Sequence, residues 1–150
     1  MAEIDESEVV VENSRITKLR EYLVGILEEM LEGDDFQVNA DMLSKDPNNY
    51  SLDKMPIERE VERWTIGICL YRDVFSFRSR MNYSQDTYNN LLNIGFFEEF
   101  EARIKEKSKE GNLPDIEGIE AVRCLNCGTQ NNATTDTAEF DIQIQIEYRR

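Results

Sequence analysis

The sequence has 150 residues, of which 40% are hydrophobic and 32% are charged, and its formal net charge at pH 7 is −14. This length suits one domain with its own core, and the hydrophobic content argues against a wholly disordered chain. The acidic balance argues against a protein that wraps nucleic acid, because phosphate binding needs clustered Lys and Arg. No apolar run approaches the roughly 20 residues that span a bilayer.

The histidine and cysteine contents bear on whether the protein is an enzyme or binds a metal. The chain has no histidine and three cysteines. Without histidine it lacks the commonest general base and the commonest metal ligand, which argues against an enzyme. The acidic start at residues 1–6 is unlike a signal peptide, and few cysteines fit a reducing compartment. We therefore expect the protein in the cytoplasm where it is made, or in a particle assembled there.

The N-terminal part is predicted to hold an acidic arm followed by an amphipathic helix. Residues 1–13 lack a helical period, so we expect a flexible or partner-ordered arm, with residues 14–150 forming a single domain. Ser14 is a suitable N-cap, and Gly33 follows the last turn, where the left-handed position favours glycine. The apolar residues between them recur at helical spacing: Ile16, Leu19, Leu23, Ile26, Leu27, Met30 and Leu31.

The next segment is predicted to be mostly strands. Residues 36–40 alternate between apolar and polar side chains, which indicates a short half-buried strand. Residues 44–56 resemble a loop, with a turn at 46–49. Residues 60–71 alternate again, with Gly67 marking a bulge or a close backbone contact. A further strand follows at 74–81, so we expect either a hairpin or one long bent strand.

A second helix is predicted to begin near Ser84. Its apolar stripe is formed by Tyr88, Leu91, Leu92, Phe97, Phe100 and Ile104. Gly95 interrupts this pattern at a cost of about 1 kcal/mol against alanine, so a break or bend is expected there. Gly111 and Pro114 end the helix. The phenylalanines at this spacing favour a helix core over an aromatic docking patch.

The last third of the chain is predicted to be β. Residues 119–125 form a strand, residues 126–136 form a polar loop, and residues 138–148 show the clearest alternation in the chain. This alternation indicates an antiparallel sheet with one covered face and one polar face. The predicted fold is α+β, a two-layer sandwich in which two helices pack on one face of an antiparallel sheet of about four to five strands.

The charges are unevenly distributed along the sequence. Acids dominate residues 1–32, whereas residues 63–83 contain four arginines and Asp73 as the one acid. A basic segment on an acidic chain can make copies of the chain complementary to one another. Ordinary solvated faces explain the same pattern, and both interpretations remain open.

Cys124 and Cys127 form the one motif that suggests metal or redox chemistry. A zinc site usually needs a second Cys or His pair, and Cys69 is the single cysteine left. A redox dithiol should open a helix, whereas this pair ends a predicted strand. We therefore predict small structural thiols, with no metal, cofactor or catalytic residue, and keep a small Cys-dependent redox or metal protein as an alternative.

Five segments in order resemble a known family of proteins. They are residues 50–56, 74–84, 93–101, 113–120 and 138–149, with YSLDKMP, VFSFRSRMNYS, NIGFFEEFE, LPDIEGIE and AEFDIQIQIEYR as their sequences. Together they resemble the minor capsid or tail-terminator proteins of phages and contractile tail-like bacteriocins of Gram-positive bacteria, especially clostridia. The resemblance covers roughly residues 30–150 and rests on segment order, not on a catalytic signature.

The resemblance implies a structural protein without an active site. Such terminators form a hexameric ring that caps the last layer of the tail tube and faces the head connector, and in a contractile particle the ring can also meet the sheath. It implies a location in the virion or tail-like particle, no membrane, and no sequence-specific nucleic acid, although DNA passes through the lumen. Another neck or head-completion protein is the structural alternative.

Five arginines are the candidate subunit-interface residues. Arg72, Arg78 and Arg80 are predicted to meet the acidic surface of a neighbouring copy, and Arg149 and Arg150 are secondary candidates.

Overall fold

The protein is described by a computed structural model that covers nine stretches of the chain: residues 14–31, 36–40, 49–56, 60–63, 67, 69–82, 87–126, 129–133 and 137–150. Within these residues two helices and seven strands follow in the order α1 (Arg15–Met30), β1 (Gln37–Ala40), β2 (Asn49–Lys54), β3 (Glu60–Arg63), β4 (Cys69–Asn82), α2 (Thr87–Lys109), β5 (Ile119–Cys124), β6 (Thr129–Ala133) and β7 (Thr137–Arg149). The predicted arm at residues 1–13 lies outside the described residues.

Helix α1 begins where the sequence predicts. The Ser14 hydroxyl accepts a hydrogen bond from the backbone N–H of Thr17 at 3.4 Å, which satisfies one of the donors that a helix start leaves unpaired. One face of the helix is buried, as the apolar period predicts. Its fully buried residues are Leu19, Leu23, Ile26 and Leu27. The predicted C-terminal glycine, Gly33, lies outside the described residues.

All seven strands belong to one sheet built on a long central pair. Strands β4 and β7 pair antiparallel from Leu70 opposite Arg149 to Asn82 opposite Thr137. The sheet order is β1-β2-β4-β7-β5, with β3 also pairing with β4 and β6 also pairing with β7. Strands β2 and β3 thus share one edge of β4, and β5 and β6 share the far edge of β7.

The core lies between the sheet and the two helices. Alternate residues of β7 are buried, namely Phe140, Ile142, Ile144, Ile146 and Tyr148. At the centre the Phe77 ring stacks on Tyr50 at 5.4 Å and on Phe100 of α2 at 5.2 Å. Burial of each such side chain contributes about 1.5–3 kcal/mol. The predicted α+β sandwich of helices on a sheet is confirmed.

The sheet is mixed, whereas the prediction made it wholly antiparallel. Strand β1 pairs parallel to β2, with Val38 opposite Tyr50, and every other pair is antiparallel within the described residues. Alternation in the sequence shows that a strand is half buried but not which way it runs beside its neighbour. The direction is set by the tertiary fold.

Two predictions around the centre of the chain are wrong. The segment 44–56, predicted as a loop, contains strand β2, whose Tyr50 and Leu52 are fully buried. The segment 60–71, predicted as one strand, contains all of β3 and the start of β4, and Gly67 lies between them with a φ of 84°. A positive φ suits a turn and favours glycine. Neither predicted alternative describes the segment fully, because β3 and β4 pair antiparallel as in a hairpin, but β4 begins at Cys69 and continues unbroken to Asn82.

The predicted break at Gly95 is also wrong. Helix α2 runs without interruption from Thr87 to Lys109. The cost of a helical glycine is about 1 kcal/mol, and it is outweighed by burial of Phe97, Phe100 and Ile104 just beyond it. The predicted start near Ser84 lies outside the described residues. After the helix, Gly111 has a φ of 79°, as its predicted stop role requires.

The predicted strand 119–125 is confirmed as β5, and the predicted strand 138–148 is confirmed as β7. The segment 126–136, predicted as a polar loop, contains strand β6. Strand β6 pairs with β7 from Thr129 opposite Asp141 to Ala133 opposite Ala138.

Candidate assembly surfaces

The sheet face away from the helices carries rows of opposite charge. In the β4–β7 register, Arg72 lies opposite Glu147, Arg78 opposite Asp141, and Arg80 opposite Glu139. Opposite charges in facing positions stabilise a strand pair by about 0.2–1 kcal/mol each. The acidic residues opposite the three predicted interface arginines of β4 therefore belong to the same chain.

Arg78 is the best-defined member of this charged face. Its guanidinium forms an ion pair with the Asp53 carboxylate of β2, and its Nη1 lies 3.4 Å from Glu139 Oε1 of β7. Desolvation lowers the pKa of Arg78, but Asp53 and then Glu139 raise the pKa by more, so it lies above its ordinary value. Arg78 thus joins three strands through contacts inside one copy.

Hydrogen bonds extend the same face along β7. The Ser76 hydroxyl donates to Asp141 Oδ1 at 2.6 Å, and the Gln145 amide donates to Glu147 Oε1 at 2.7 Å. Arg123 of β5 completes the row, with its Nη2 2.9 Å from the same Glu147 oxygen. The face therefore carries three groups of paired polar side chains, which together span β2, β4, β7 and β5.

The two C-terminal arginines lie at one end of the sheet, apart from the β4 arginines. Both side chains are exposed, and Arg149 Nε lies 2.5 Å from Glu120 Oε1. The backbone of Arg150 exchanges two hydrogen bonds of 2.9 Å with Cys69. Arg149 and Arg150 border a groove of about 690 Å³ that also contains Arg15 and Lys18, with acidic residues on its rim.

A buried ion pair lies beneath this groove. Asp73 is 1% exposed, and its carboxylate accepts hydrogen bonds from Arg15 Nε at 2.6 Å and from the Tyr148 hydroxyl at 3.3 Å. The Arg15 guanidinium also lies 4.7 Å from the centre of the Tyr148 ring. A buried carboxylate that is paired on both sides is suited to fastening α1 to the sheet.

The cysteine motif is described in part. Cys124 ends β5 and is a half-buried free thiol, and Cys69 is a buried free thiol. Cys127, the second cysteine of the motif, lies outside the described residues. Among those residues no group of three or more His, Cys, Asp or Glu side chains is placed to hold a metal ion.

An apolar cluster is exposed at the start of α2. Leu91, Leu92 and Ile94 are 60%, 54% and 50% exposed, so the prediction that the two leucines belong to the apolar stripe of the helix core is wrong. At about 100° per residue, Leu91 lies nearly opposite the buried side of the helix formed by Phe97 and Phe100. We call these three side chains the α2 knob. Exposed apolar patches of this kind mark protein–protein contacts.

A groove lies at the other end of α2, where the helix passes over β5. It has a volume of about 460 Å³. Ile104, Ala121, Val122 and Cys124 contribute apolar surface, and Glu101, Lys105, Ser108, Lys109 and Arg123 complete the lining. We call it the α2–β5 groove. Among the described strands β5 pairs with β7 alone, so its outer edge has backbone groups available to a partner.

The opposite edge of the sheet is partly covered. Strand β1 is four residues long, and the Arg20 side chain of α1 donates to the Val38 carbonyl at 2.9 Å. A short edge strand with a capped carbonyl is a weak template for another strand. The β5 edge is therefore the better candidate for pairing between copies.

Comparison of the sequence with models of protein families and with curated proteins gives no match. In the part of the chain that the structure describes, no helix combines the length and apolar character needed to cross a membrane.

Proposed function

We propose that the protein is a structural subunit of a phage tail or tail-like particle, namely a tail terminator that caps the tail tube as a closed ring. The structural observation that carries the assembly role is the α2 knob, three aliphatic side chains at least half exposed on a strongly acidic chain. The segment order that resembles phage terminators supports the particular role. The proposed partners are five further copies of the chain, the tail tube protein, and the sheath or head connector beyond it.

The fold suits this role because its contact surfaces are edges and ends. In the part of the chain that the structure describes, the helices cover one face of the sheet and paired polar side chains occupy the other, so the outer edge of β5 and the two ends of α2 are candidate contact surfaces. Strand edges extend a neighbouring sheet through main-chain hydrogen bonds. A ring closes when head-to-tail contacts repeat around a rotation axis.

The first test is the mass of the assembly. Native mass spectrometry and sedimentation should show a hexamer, either for the protein alone or after mixing with its cognate tube protein. Electron microscopy of growing tubes should show that added protein stops elongation and is found at tube ends. A protein that stays monomeric in both settings, while the tubes keep growing, would disprove the terminator role.

The proposed contact of the arginines needs a separate test. Because Arg78 already holds Asp53 and Glu139, the Arg78→Glu/Arg80→Glu variant should lower the urea midpoint of the isolated subunit as well as weaken the ring. The Arg149→Glu/Arg150→Glu variant should weaken the ring with little change in the midpoint, since exposed ion pairs contribute about 1 kcal/mol or less. Normal rings from a variant would exclude its arginine pair as a contact.

A further inference from the structure

We propose that the α2 knob of one copy inserts into the α2–β5 groove of the next copy, so that the ring is built from head-to-tail contacts along α2. This inference rests on the proposed function and adds the residues that join the subunits. Two features of α2 that its own fold leaves unexplained carry it: an exposed apolar start, and an open groove beside its C-terminal half.

The knob is apolar where solvent would favour polar residues. Leu91 and Leu92 are more exposed than any other large hydrophobic residue of the described chain, and Ile94 comes next. Beyond Gly95 the exposed side chains of α2 are Glu98, Glu99, Ala102, Lys105, Glu106 and Lys109, so the exposed large aliphatic residues are confined to the first turns of the helix. The knob is therefore a local feature, not the general surface of α2.

The groove offers a matching environment. Its apolar part, formed by Ile104, Val122 and Ala121, can take aliphatic side chains out of water. Its wall includes β5, whose outer edge can donate and accept main-chain hydrogen bonds. The groove therefore suits exposed aliphatic side chains of a neighbouring copy.

Charge favours the same pairing. Residues 87–102 of α2 contain no base, and Glu98 lies beside the knob, whereas the lining of the groove contains three bases, Lys105, Lys109 and Arg123, against one acid, Glu101. Complementary charge around an apolar contact speeds association and disfavours other orientations.

The two lysines of the groove remain available for this contact. On the neighbouring helical face Lys107 and Arg103 bind Glu29 of α1, at 3.1 and 3.2 Å, and the Lys107 hydrogen bond lowers the pKa of Glu29. Lys105 and Lys109 make no ion pair within the described part of the chain. Their charge is thus uncompensated there, as is that of Glu98 beside the knob.

The contact joins two different surfaces of the subunit, and it is therefore heterologous. The knob and the groove lie about 20 Å apart along one helix, at a rise of 1.5 Å per residue. Each copy therefore gives a knob to one neighbour and a groove to another, which propagates until a ring closes. A symmetric dimer would instead leave no site for further copies.

Two variants separate the halves of the contact. Leu91→Asp/Ile94→Asp removes the knob and keeps the groove, whereas Lys105→Glu/Lys109→Glu reverses the groove charge and keeps the knob. Burial of two half-exposed aliphatic side chains strengthens the affinity between copies by at least about 10-fold. The aspartates of the knob variant also place carboxylates in the apolar contact, so its affinity should fall by about 100-fold. Each variant alone should be monomeric where the wild type forms rings.

Mixing the knob variant with the groove variant tests whether the knob of one copy binds the groove of another. The intact groove of the knob variant should accept the intact knob of the groove variant, and the mixture should give a one-to-one dimer that grows no further. Lys54→Glu, an exposed charge reversal at the end of β2, is the matched control and should form normal rings. Circular dichroism and urea midpoints close to the wild type establish that the variants are folded.

Cys124 supplies an independent measurement, because its half-buried thiol lines the groove. In the ring its alkylation, followed by peptide mass spectrometry, should slow at least about 10-fold relative to the monomeric knob variant, since a seated knob shields the thiol. Wild-type rings with an unprotected Cys124, or rings formed by the knob variant, would overturn the inference and leave the terminator role intact. A wild type that never assembles would reject the proposed function itself.

Discussion

Replacing Asp73 tests whether the buried ion pair fastens α1 to the sheet. The carboxylate is 1% exposed and receives hydrogen bonds from Arg15 Nε at 2.6 Å and from the Tyr148 hydroxyl at 3.3 Å. Removing one partner of a buried pair costs about 3–5 kcal/mol, because the other charge loses its compensation. The Arg15 side chain is 24% exposed and can regain some water. We therefore expect Asp73→Ala to lower the free energy of unfolding by about 2–4 kcal/mol.

Urea denaturation followed by circular dichroism measures this loss as a lower midpoint with an unchanged slope. The matched control is Asp53→Ala, which breaks the less buried ion pair with Arg78 on the other face and should cost about 1 kcal/mol. In an Arg15→Met background, the Asp73→Ala loss should shrink by at least about 1 kcal/mol. A loss below about 0.5 kcal/mol, or strict additivity of the two changes, would refute the proposed fastening.

Four further predictions concern two glycines and two tyrosines and are measured by the same urea midpoints. Gly118 has a φ of 77°, and an added Cβ would collide with the Arg149 carbonyl, so Gly118→Ala should lower the free energy of unfolding by at least about 2 kcal/mol. A Cβ added at Gly95 meets open space, so Gly95→Ala should raise the free energy of unfolding by about 0.5–1 kcal/mol. The Tyr50 hydroxyl is buried and has no hydrogen-bond partner in the described part of the chain, so Tyr50→Phe should stabilise by about 1 kcal/mol, and a loss would contradict this account. Burial, helped by Cys124 and Glu29, raises the pKa of Tyr22 from 10.0 to about 12, so stability that is complete below about pH 10 should fall as pH rises toward 12. Tyr22→Phe should reduce that fall, and an identical fall in both proteins would exclude Tyr22 as its source.

The elements with a strong period were predictable from sequence. Helix α1 repeats its apolar residues over four turns, and β7 alternates from Phe140 to Tyr148, so each pattern has one physical explanation. Strand β2 was missed because Tyr50 and Leu52 are a short apolar signal next to turn-forming residues. Strand β6 was missed because its residues are almost all polar and its pairing with β7 uses backbone groups that a side-chain pattern does not show.

The candidate surfaces were less predictable, because they depend on which distant segments meet. The sequence shows a cluster of arginines in β4 but not that Glu139, Asp141 and Glu147 of β7 lie directly opposite them. It likewise shows aliphatic residues at the start of α2 but not that Leu91 and Leu92 extend into solvent. Helical spacing gives the direction of each side chain relative to the others. How much of the helix is buried depends on how much of it the sheet covers, which the spacing does not show.

The distribution of charge and apolar surface favours assembly through ends over assembly through faces. On the polar face Arg78 is held by Asp53 and Glu139, so a partner must break contacts inside the chain before it makes new ones. At the α2 knob Leu91 and Ile94 are already in water, and in the α2–β5 groove Lys105 and Lys109 have no ion pair within the described residues that a partner must break. Affinity is the surplus of contacts made over contacts broken. Burial of the knob should therefore contribute more to a ring than exchange of ion pairs across the polar face.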